Sequence, residues 1–409
     1  MLFFQKQGIV SIPQELPRDL TVRALPAPQT ATLPLRVGGQ ARFCAPADRQ
    51  LSLGTRLVAG EDGFGIYSPF DGMLGDLSRI RHPLLGEVPA AAVLVDACVQ
   101  PPTAQTVALE QKPTEQEIVN AARVCGIIDE TDGMRLDEKL LALRKKGVAL
   151  LVGDACEDQP GCFAALCVLR QYGAQAELGL QLACLATGAQ QGFFVRFGDA
   201  DERFDTLPLQ TQVHALGCQY PALPERRVQQ ESKQPFGSIG VQALAALYRA
   251  LAFREPQLGL AVSIGGEILD MPRCYFVPFG TALSHAVQAC GIHYPSYTCV
   301  SGGALRGTKV SDAMPMSIGV TGVYVQENAP EPAAKPCFGC GACANVCPQN
   351  LLPIHIMKSR RRGHKMKLKL LHPEDCIGCG ACSYVCPAGI DLTRFVRLAA
   401  QDAAKEAVR

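Results

Sequence analysis

Apolar and polar positions change their rhythm along this chain, and each change marks a different kind of element. Between residues 33 and 100, short apolar runs alternate with Gly, Asp and Pro, as in LSLGTRLVAGEDGFGIYSPFDGML. That pattern predicts short strands joined by turns, a small barrel-sandwich of hairpins. From residue 113 the period lengthens. PTEQEIVNAARVCGI predicts a helix, with Pro113 and Thr114 as its start signals. GVALLVGDA, at 147–155, is a continuous apolar run closed by Gly and Asp, which suits a buried parallel strand. GCFAALCVLRQYGAQAELGLQLACLATGA then reads as helix, so residues 113–235 are expected to form an α/β domain.

Farther on, residues 256–292 give two apolar strands around a Gly-Gly-Glu turn and then an amphipathic helix. Leu283, Ala286, Val287, Ala289 and Cys290 form its apolar side. YTCVSGGALRGTKVSD adds another strand and turn. Residues 236–325 are thus expected to be a helix plus a small β-grasp module. ENAPEPAAKP, at 327–336, is a proline-rich linker into residues 327–395. Residues 1–32 are Pro-rich and irregular and predict an extended arm. The tail, 396–409, predicts a short amphipathic helix. Leu392, Phe395, Val396, Leu398 and Ala399 lie on the apolar side of this segment, which is expected to pack on the domain before it. The fold class that results is multidomain, α/β plus α+β.

Composition narrows the function. Lys+Arg 39 against Asp+Glu 38 leaves a net charge of +1, and the chain has no Trp, so neither a basic field nor base-stacking platforms argue for nucleic acid. The opening MLFFQKQGIV lacks the long apolar core and small-residue cleavage site of a secretory signal. No run approaches the roughly 18 apolar residues of a membrane-spanning helix. The expected location is the cytoplasm, with membrane contact only through a partner. Nineteen cysteines in such a chain do not read as a disulfide framework.

Eight of those cysteines fall in two matching runs. CFGCGACANVCP starts at Cys337 and CIGCGACSYVCP at Cys376, 39 residues later, with nine of twelve positions identical. Each run is C-x2-C-x2-C-x3-C-P. Three thiolates at that spacing wrap one corner of a [4Fe-4S] cube, and the fourth, before proline, ligates the other cluster of a two-cluster ferredoxin. The spacing groups Cys337, Cys340, Cys343 and Cys386 around one cluster, and Cys376, Cys379, Cys382 and Cys347 around the second. Zinc is the competing reading. It prefers two separate C-x2–4-C pairs per site and fits this duplicated register poorly. Between the runs lies KSRRRGHKMKLK, Lys358 to Lys369, in which seven of twelve residues are Lys or Arg. The segment reads either as a solvated face that offsets cluster charge or as a docking surface for an acidic carrier of ferredoxin or flavodoxin type.

The order of these parts resembles the C subunit of the Rnf electron-transport complex and its soluble relatives, including the electron-transfer protein associated with proline reductase. The resemblance spans roughly residues 33–395. It rests on the paired cysteine runs, on PFGTALSHAVQACG and VSGGALRG in the β-grasp region, and on GDACEDQPGCF at 153–163. That last stretch is similar to a strand-end motif of flavin-binding NADH dehydrogenase subunits. The resemblance implies a lipoyl-like N-terminal domain, a Rossmann-like α/β domain, a β-grasp module of the SLBB type and a two-cluster ferredoxin domain. It also implies FMN on a glycine-rich loop of the form GxGGAGFP. Here the corresponding segment is VCGIIDETDGMRLDEKL, 124–140. Gly126 and Gly133 remain, but Asp129, Glu130 and Asp132 occupy the loop, and carboxylates there repel a phosphate with no compensating partner evident in the sequence. Gln159 stands where the NADH dehydrogenase relatives tend to have a second glutamate. No lysine sits at SPFDGM, taken as the hairpin tip, to carry lipoate or biotin.

Without a flavin, hydride cannot be split into single electrons. The expected function is therefore a one-electron relay with no catalytic residue of its own. Its partners would be a low-potential donor, either ferredoxin or an NADH-linked complex, and a partner reductase. The alternatives are an FMN-containing, NADH-oxidising peripheral subunit of a membrane complex and a scaffold with structural clusters. Cys156, Cys162 and Cys167 are read as buried apolar residues or as a redox-active thiol pair. His293, His355 and His372 each stand alone.

Overall fold

The computed structural model describes residues 10–11, 16–35, 41–44, 46–82, 85–199, 201–205, 207–328 and 333–407. Most of the expected signal-free start and part of the linker at 327–336 lie outside these. The architecture is mixed α/β in several units, joined by sheets that recruit strands from distant parts of the chain.

The N-terminal unit is two small antiparallel sheets face to face. One has strand order Thr30–Pro34, Gly86–Cys98, Phe70–His82, Gln50–Leu51, and the other Ala41–Phe43, Arg56–Gly60, Gly65–Tyr67. Alternating residues Leu33, Leu51, Leu57, Phe70, Leu74 and Val93 meet between them. SPFDGM is not a hairpin tip. Ser68 and Pro69 turn the corner between the sheets, and Phe70 is fully buried at the start of the long Phe70–His82 strand. An apolar ring driven into the sandwich core holds this segment as strand. The absence of a cofactor-bearing lysine is broader than that site, since residues 33–100 contain no lysine at all.

The next unit is a four-stranded parallel sheet, ordered Val213–Ala215, Gln191–Arg196, Leu150–Ala155, Phe236–Gly240. The helix expected after Pro113 runs Glu115–Val124, with Thr114 and Glu117 forming a reciprocal capping box. With Leu136–Lys146, Ala164–Thr187 and Val241–Ala252 it covers one face of the sheet. Ala164–Thr187 is mostly apolar all round because it is buried between this sheet and the next.

That next sheet has six strands, ordered Thr308–Val310, Tyr297–Ser301, Gly322–Glu327, Gly259–Gly266, Arg273–Pro278, Val22–Ala24. The Leu283–Gln288 helix packs on it through Leu283, Ala286, Val287 and Cys290. The N-terminal segment is extended but is not a free arm. Val10–Ser11 pairs with Gln219–Tyr220, Val22–Ala24 forms an edge of the six-stranded sheet, and Thr30–Pro34 pairs with Gly86–Cys98. Extended backbone satisfies its N–H and C=O groups most readily on an open sheet edge, and this segment finds three.

The cysteine-rich region is built from short helices. Ala342–Asn345 and Ala381–Tyr384 follow equivalent glycines, and Pro353–Arg361, Lys365–Lys369 and Leu392–Ala407 pack around them. The last helix starts four residues before the expected 396. Leu392, Val396 and Ala399 are buried against this region, so the tail does pack on the preceding unit. Among the described residues no helix is long and apolar enough to cross a membrane.

Candidate metal centre

Two short repeats position the cysteines. In each, a glycine at positive φ, Gly341 or Gly380, turns the chain into a four-residue helix, which brings the third cysteine, Cys343 or Cys382, inward. Cys347 ends the first run, yet it lines one cavity together with Cys376, Cys379 and Cys382 of the second. Pro348, Gln349, Leu351, Pro353, Ile377, Gly380, Thr393 and Val396 complete the wall, and the space is about 340 Å³ including its mouth. Backbone N–H groups point at two of these sulfurs, Leu351 to Cys347 at 3.3 Å and Gly378 to Cys376 at 3.4 Å. The Thr393 hydroxyl is 3.4 Å from the Cys382 sulfur. Cys337, Cys343 and Cys386 share an apolar cluster that also includes Cys379 and Cys382, and Cys340 lies exposed beside Cys343.

The four thiols around the cavity frame a space. Burial pushes the Cys376 and Cys379 thiols up and the Cys382 thiol up to about 12. Protein groups alone therefore leave them protonated, and a thiophilic metal is what ionises such a set. Four soft donors around a largely apolar hollow, with N–H groups aimed at sulfur, suit an iron–sulfur cluster.

The inner cavity is bound to the rest of the chain by a polar network that sequence reasoning did not find. Tyr220, fully buried, donates its hydroxyl to the Cys379 carbonyl. Gln159 donates to Tyr220 at 2.7 Å and accepts from the N–H groups of Leu305 and Arg306 at 3.0 and 3.1 Å. Arg306 pairs with buried Asp158 at 2.9 Å, and Arg397 holds the Gly378 carbonyl at 2.8 Å. Gly380 lets the cysteine loop sit on this network, since a Cβ there would lie 2.1 Å from the Leu305 carbonyl. The one signal in the sequence was Gln159, noted only as a departure. Its amide both donates and accepts here, which a carboxylate cannot do.

The family motif match falls on the same region: residues 336–390 match the 4Fe-4S dicluster domain. The C subunit of the ion-translocating oxidoreductase complex of Methanosarcina acetivorans is 34% identical over 119 residues, 28% of this chain and 26% of that protein. The protein of the same name from Rhodobacter capsulatus is 22% identical over 377 residues, 84% of this chain and 72% of the relative. The Pseudomonas aeruginosa one is 23% identical over 366 residues, 82% and 47%. The chain resembles the C subunits of ion-translocating oxidoreductase complexes. It spans about a quarter of the length of the first of these relatives and nearly three quarters of the second. An NAD+-reducing [NiFe]-hydrogenase in the H2-reduced state aligns with 75% of this chain and 68% of its own at 16% identity and a TM-score of 0.48. The dicluster match and the likeness to these relatives support an iron–sulfur electron-transfer role.

The resemblance to the Rnf complex implies a flavin at a second place. Strand order in the parallel sheet reverses beside Leu150–Ala155, and open α/β sheets bind ligands beyond the strand ends at such a point. In this chain the place is taken by side chains. Glu130 accepts the N–H groups of Gln242 and Ala243 at 2.8 and 2.9 Å, in the first turn of the Val241–Ala252 helix. Asp129 accepts from the Gly240 N–H at 3.2 Å and from the Lys139 ammonium at 2.7 Å, and Lys139 also reaches Asp132 at 2.7 Å. The expectation that these carboxylates lack a compensating partner is therefore wrong. Their partners are Lys139, the Thr131 hydroxyl and the backbone amides of Thr131, Met134, Gly240, Gln242 and Ala243, the last two in the first turn of a helix. Burial and the Asp129 charge push the Glu130 carboxyl up to about 8, against the pull of the two amides.

The other candidates do not assemble. Cys167 lies beside Cys274 of the six-stranded sheet, and burial pushes the Cys156, Cys162 and Cys274 thiols well up. Such thiols are protonated and unreactive. His293 pairs with Asp270 at 2.9 Å and His372 with Glu374 at 3.1 Å, at separate exposed places, while His355 is exposed elsewhere.

Proposed function

We propose that this chain is a one-electron relay that holds two [4Fe-4S] clusters. Cys376, Cys379, Cys382 and Cys347 would hold the inner one, and Cys337, Cys340, Cys343 and Cys386 the outer. The observation that carries the reading is the cavity shared by Cys347 and three cysteines of the other run. Each cluster, when bound, supplies a one-electron store. The protein's own residues do the rest. Leu351 and Gly378 direct N–H groups at sulfur, which stabilises added negative charge, and the apolar wall limits water. Tyr220, Gln159 and Arg306 fix the inner cysteine loop against the body of the chain.

On this reading the chain binds no FMN, because Glu130 already holds the helix amides that a phosphate would use. The N-terminal sandwich, the Rossmann-like sheet and the β-grasp-type six-stranded sheet then serve as a docking body. The electron donor is a ferredoxin or an NADH-linked complex, the acceptor is a partner reductase, and the setting is cytoplasmic. The test is an EPR spectrum of the anaerobically purified chain. The reading expects about two unpaired spins per chain after dithionite and no signal from NADH alone. Full reduction by NADH without another protein would overturn it.

A further inference from the structure

The basic segment between the cysteine runs carries an inference that rests on the relay reading and gives its electron donor a docking face. Folded, it is the end of the Pro353–Arg361 helix, a turn, and the Lys365–Lys369 helix. Its two faces differ sharply. On the inner side Leu368 and Leu371 pack in one apolar cluster with Cys347 and Cys376, two of the four cysteines around the inner cavity. On the outer side Lys358, Arg362, Lys367 and Lys369 are exposed, while Arg361 lies over the Phe395 ring at 4.6 Å. Among them stand Met366, 75% exposed, and Leu370, 77% exposed.

Residues 358–369 contain no carboxylate. Arg360 is offset by Asp402 at 2.8 Å, and the nearest following acid, Glu374, is engaged by His372. A face that served only to offset cluster charge would not need two large apolar side chains held out among its lysines. Apolar contacts inside a charged rim are the anatomy of a transient protein interface. The rim adds electrostatic steering toward a negative partner. An anionic bilayer would also be attracted, but it delivers no electron, and a five-residue helix is short for lying in a membrane surface.

We propose that the outer face of residues 358–370 is the docking surface for an acidic one-electron carrier of ferredoxin or flavodoxin type. The reduced carrier loses one electron, and the centre framed by Cys347, Cys376, Cys379 and Cys382 gains it. No bond is made or broken and no proton is required. The route from carrier to sulfur passes through the single layer formed by Leu368 and Leu371.

The experiment is stopped-flow reduction of the cluster-loaded full chain by a reduced bacterial two-[4Fe-4S] ferredoxin of net negative charge. The second-order rate is expected to fall steeply with added NaCl. K367E/K369E is expected to lower it about tenfold or more at low salt, and the two proteins should converge at high salt. M366S/L370S is expected to slow reduction while leaving the salt slope unchanged. Iron content and the extent of dithionite reduction should stay at wild-type values in both variants. Wild-type ferredoxin rates in K367E/K369E with iron intact would overturn the docking surface and leave the relay standing. A chain that holds no iron would overturn both. If phosphatidylglycerol vesicles capture the wild type but not K367E/K369E, with ferredoxin rates equal, the face is a membrane surface and the proposal is wrong.

Discussion

Removing the Glu130 carboxylate should loosen the helix it caps, and the effect should vanish when Gly240 is already changed. A Cβ on Gly240 would lie 2.2 Å from the Glu130 carboxylate, and the glycine has an ordinary φ of −63°, so Gly240→Ala acts by displacing that carboxylate. Glu130→Ala leaves the N–H groups of Gln242 and Ala243, both buried, without their acceptor. A lost cap costs about 0.5–2 kcal/mol and an unsatisfied buried donor about 1–3 kcal/mol. Release of the buried Glu130 carboxyl from an environment that disfavours its charge offsets part of this. The expected cost of either single change is about 2–3 kcal/mol. The double variant should cost little more than one of them, a coupling of about 2 kcal/mol. A chain of several units does not unfold in one step, so the readout is native-state hydrogen exchange of amides in the Val241–Ala252 helix. Phosphate at tens of millimolar should restore part of the protection in Glu130→Ala and none in the wild type, since only the variant has an open helix N-terminus. Additive costs, or equal phosphate effects on both proteins, would refute the claim that the Glu130 carboxyl occupies this helix N-terminus.

Other consequences are accessible to simple variants. Cys347→Ser and Cys376→Ser should abolish the same EPR signal and lower iron by about four per chain, while Cys386→Ser removes the other signal; shared loss between Cys347→Ser and Cys340→Ser would contradict the grouping. Gln159→Glu should be worse than Tyr220→Phe for the seating of the inner loop, because it sets a second carboxylate beside Asp158 and cannot donate to Tyr220. Limited proteolysis after Gly378 and the inner midpoint potential should both move, and unchanged values would show that the network does not seat the loop. Burial holds the Asp154 carboxyl at about 6 and the Glu130 and Glu157 carboxyls at about 8. Raised folded values mean that the folded form binds more protons than the unfolded form between roughly pH 4.5 and 8, so stability from these groups falls as pH rises through that window. Exchange protection in the α/β unit should be weaker at about pH 8.5 than at about pH 6; equal protection at the two would show that the carboxylates are ionised throughout.

What could be read from the chain follows from how local each constraint is. Cluster ligation sets cysteine spacing within a dozen residues, so the repeat at Cys337 and Cys376 was visible as such. Thr114 and Glu117 signal a helix start across one turn, and the apolar run at 150–155 needs only its own composition. The plug at Glu130 was not legible, because its acceptor role depends on amides 112 and 113 residues later. Gln159, Tyr220 and Cys379 meet across gaps of 61 and 159 residues. Extended segments are the hardest case. Nothing within Val10–Ser11, Val22–Ala24 or Thr30–Pro34 says which edge will take it, and SPFDGM carries turn residues although Phe70 is held by the core.

A flavin-free relay with two clusters is tested most directly by the metal and flavin content of chain purified without oxygen. Iron by colorimetry and flavin by acid release and fluorescence give two numbers per chain. The expected result is about eight irons and no flavin. One FMN per chain would contradict it, since Glu130 could not then occupy the helix N-terminus as described, and so would an iron content near zero in protein that is otherwise folded.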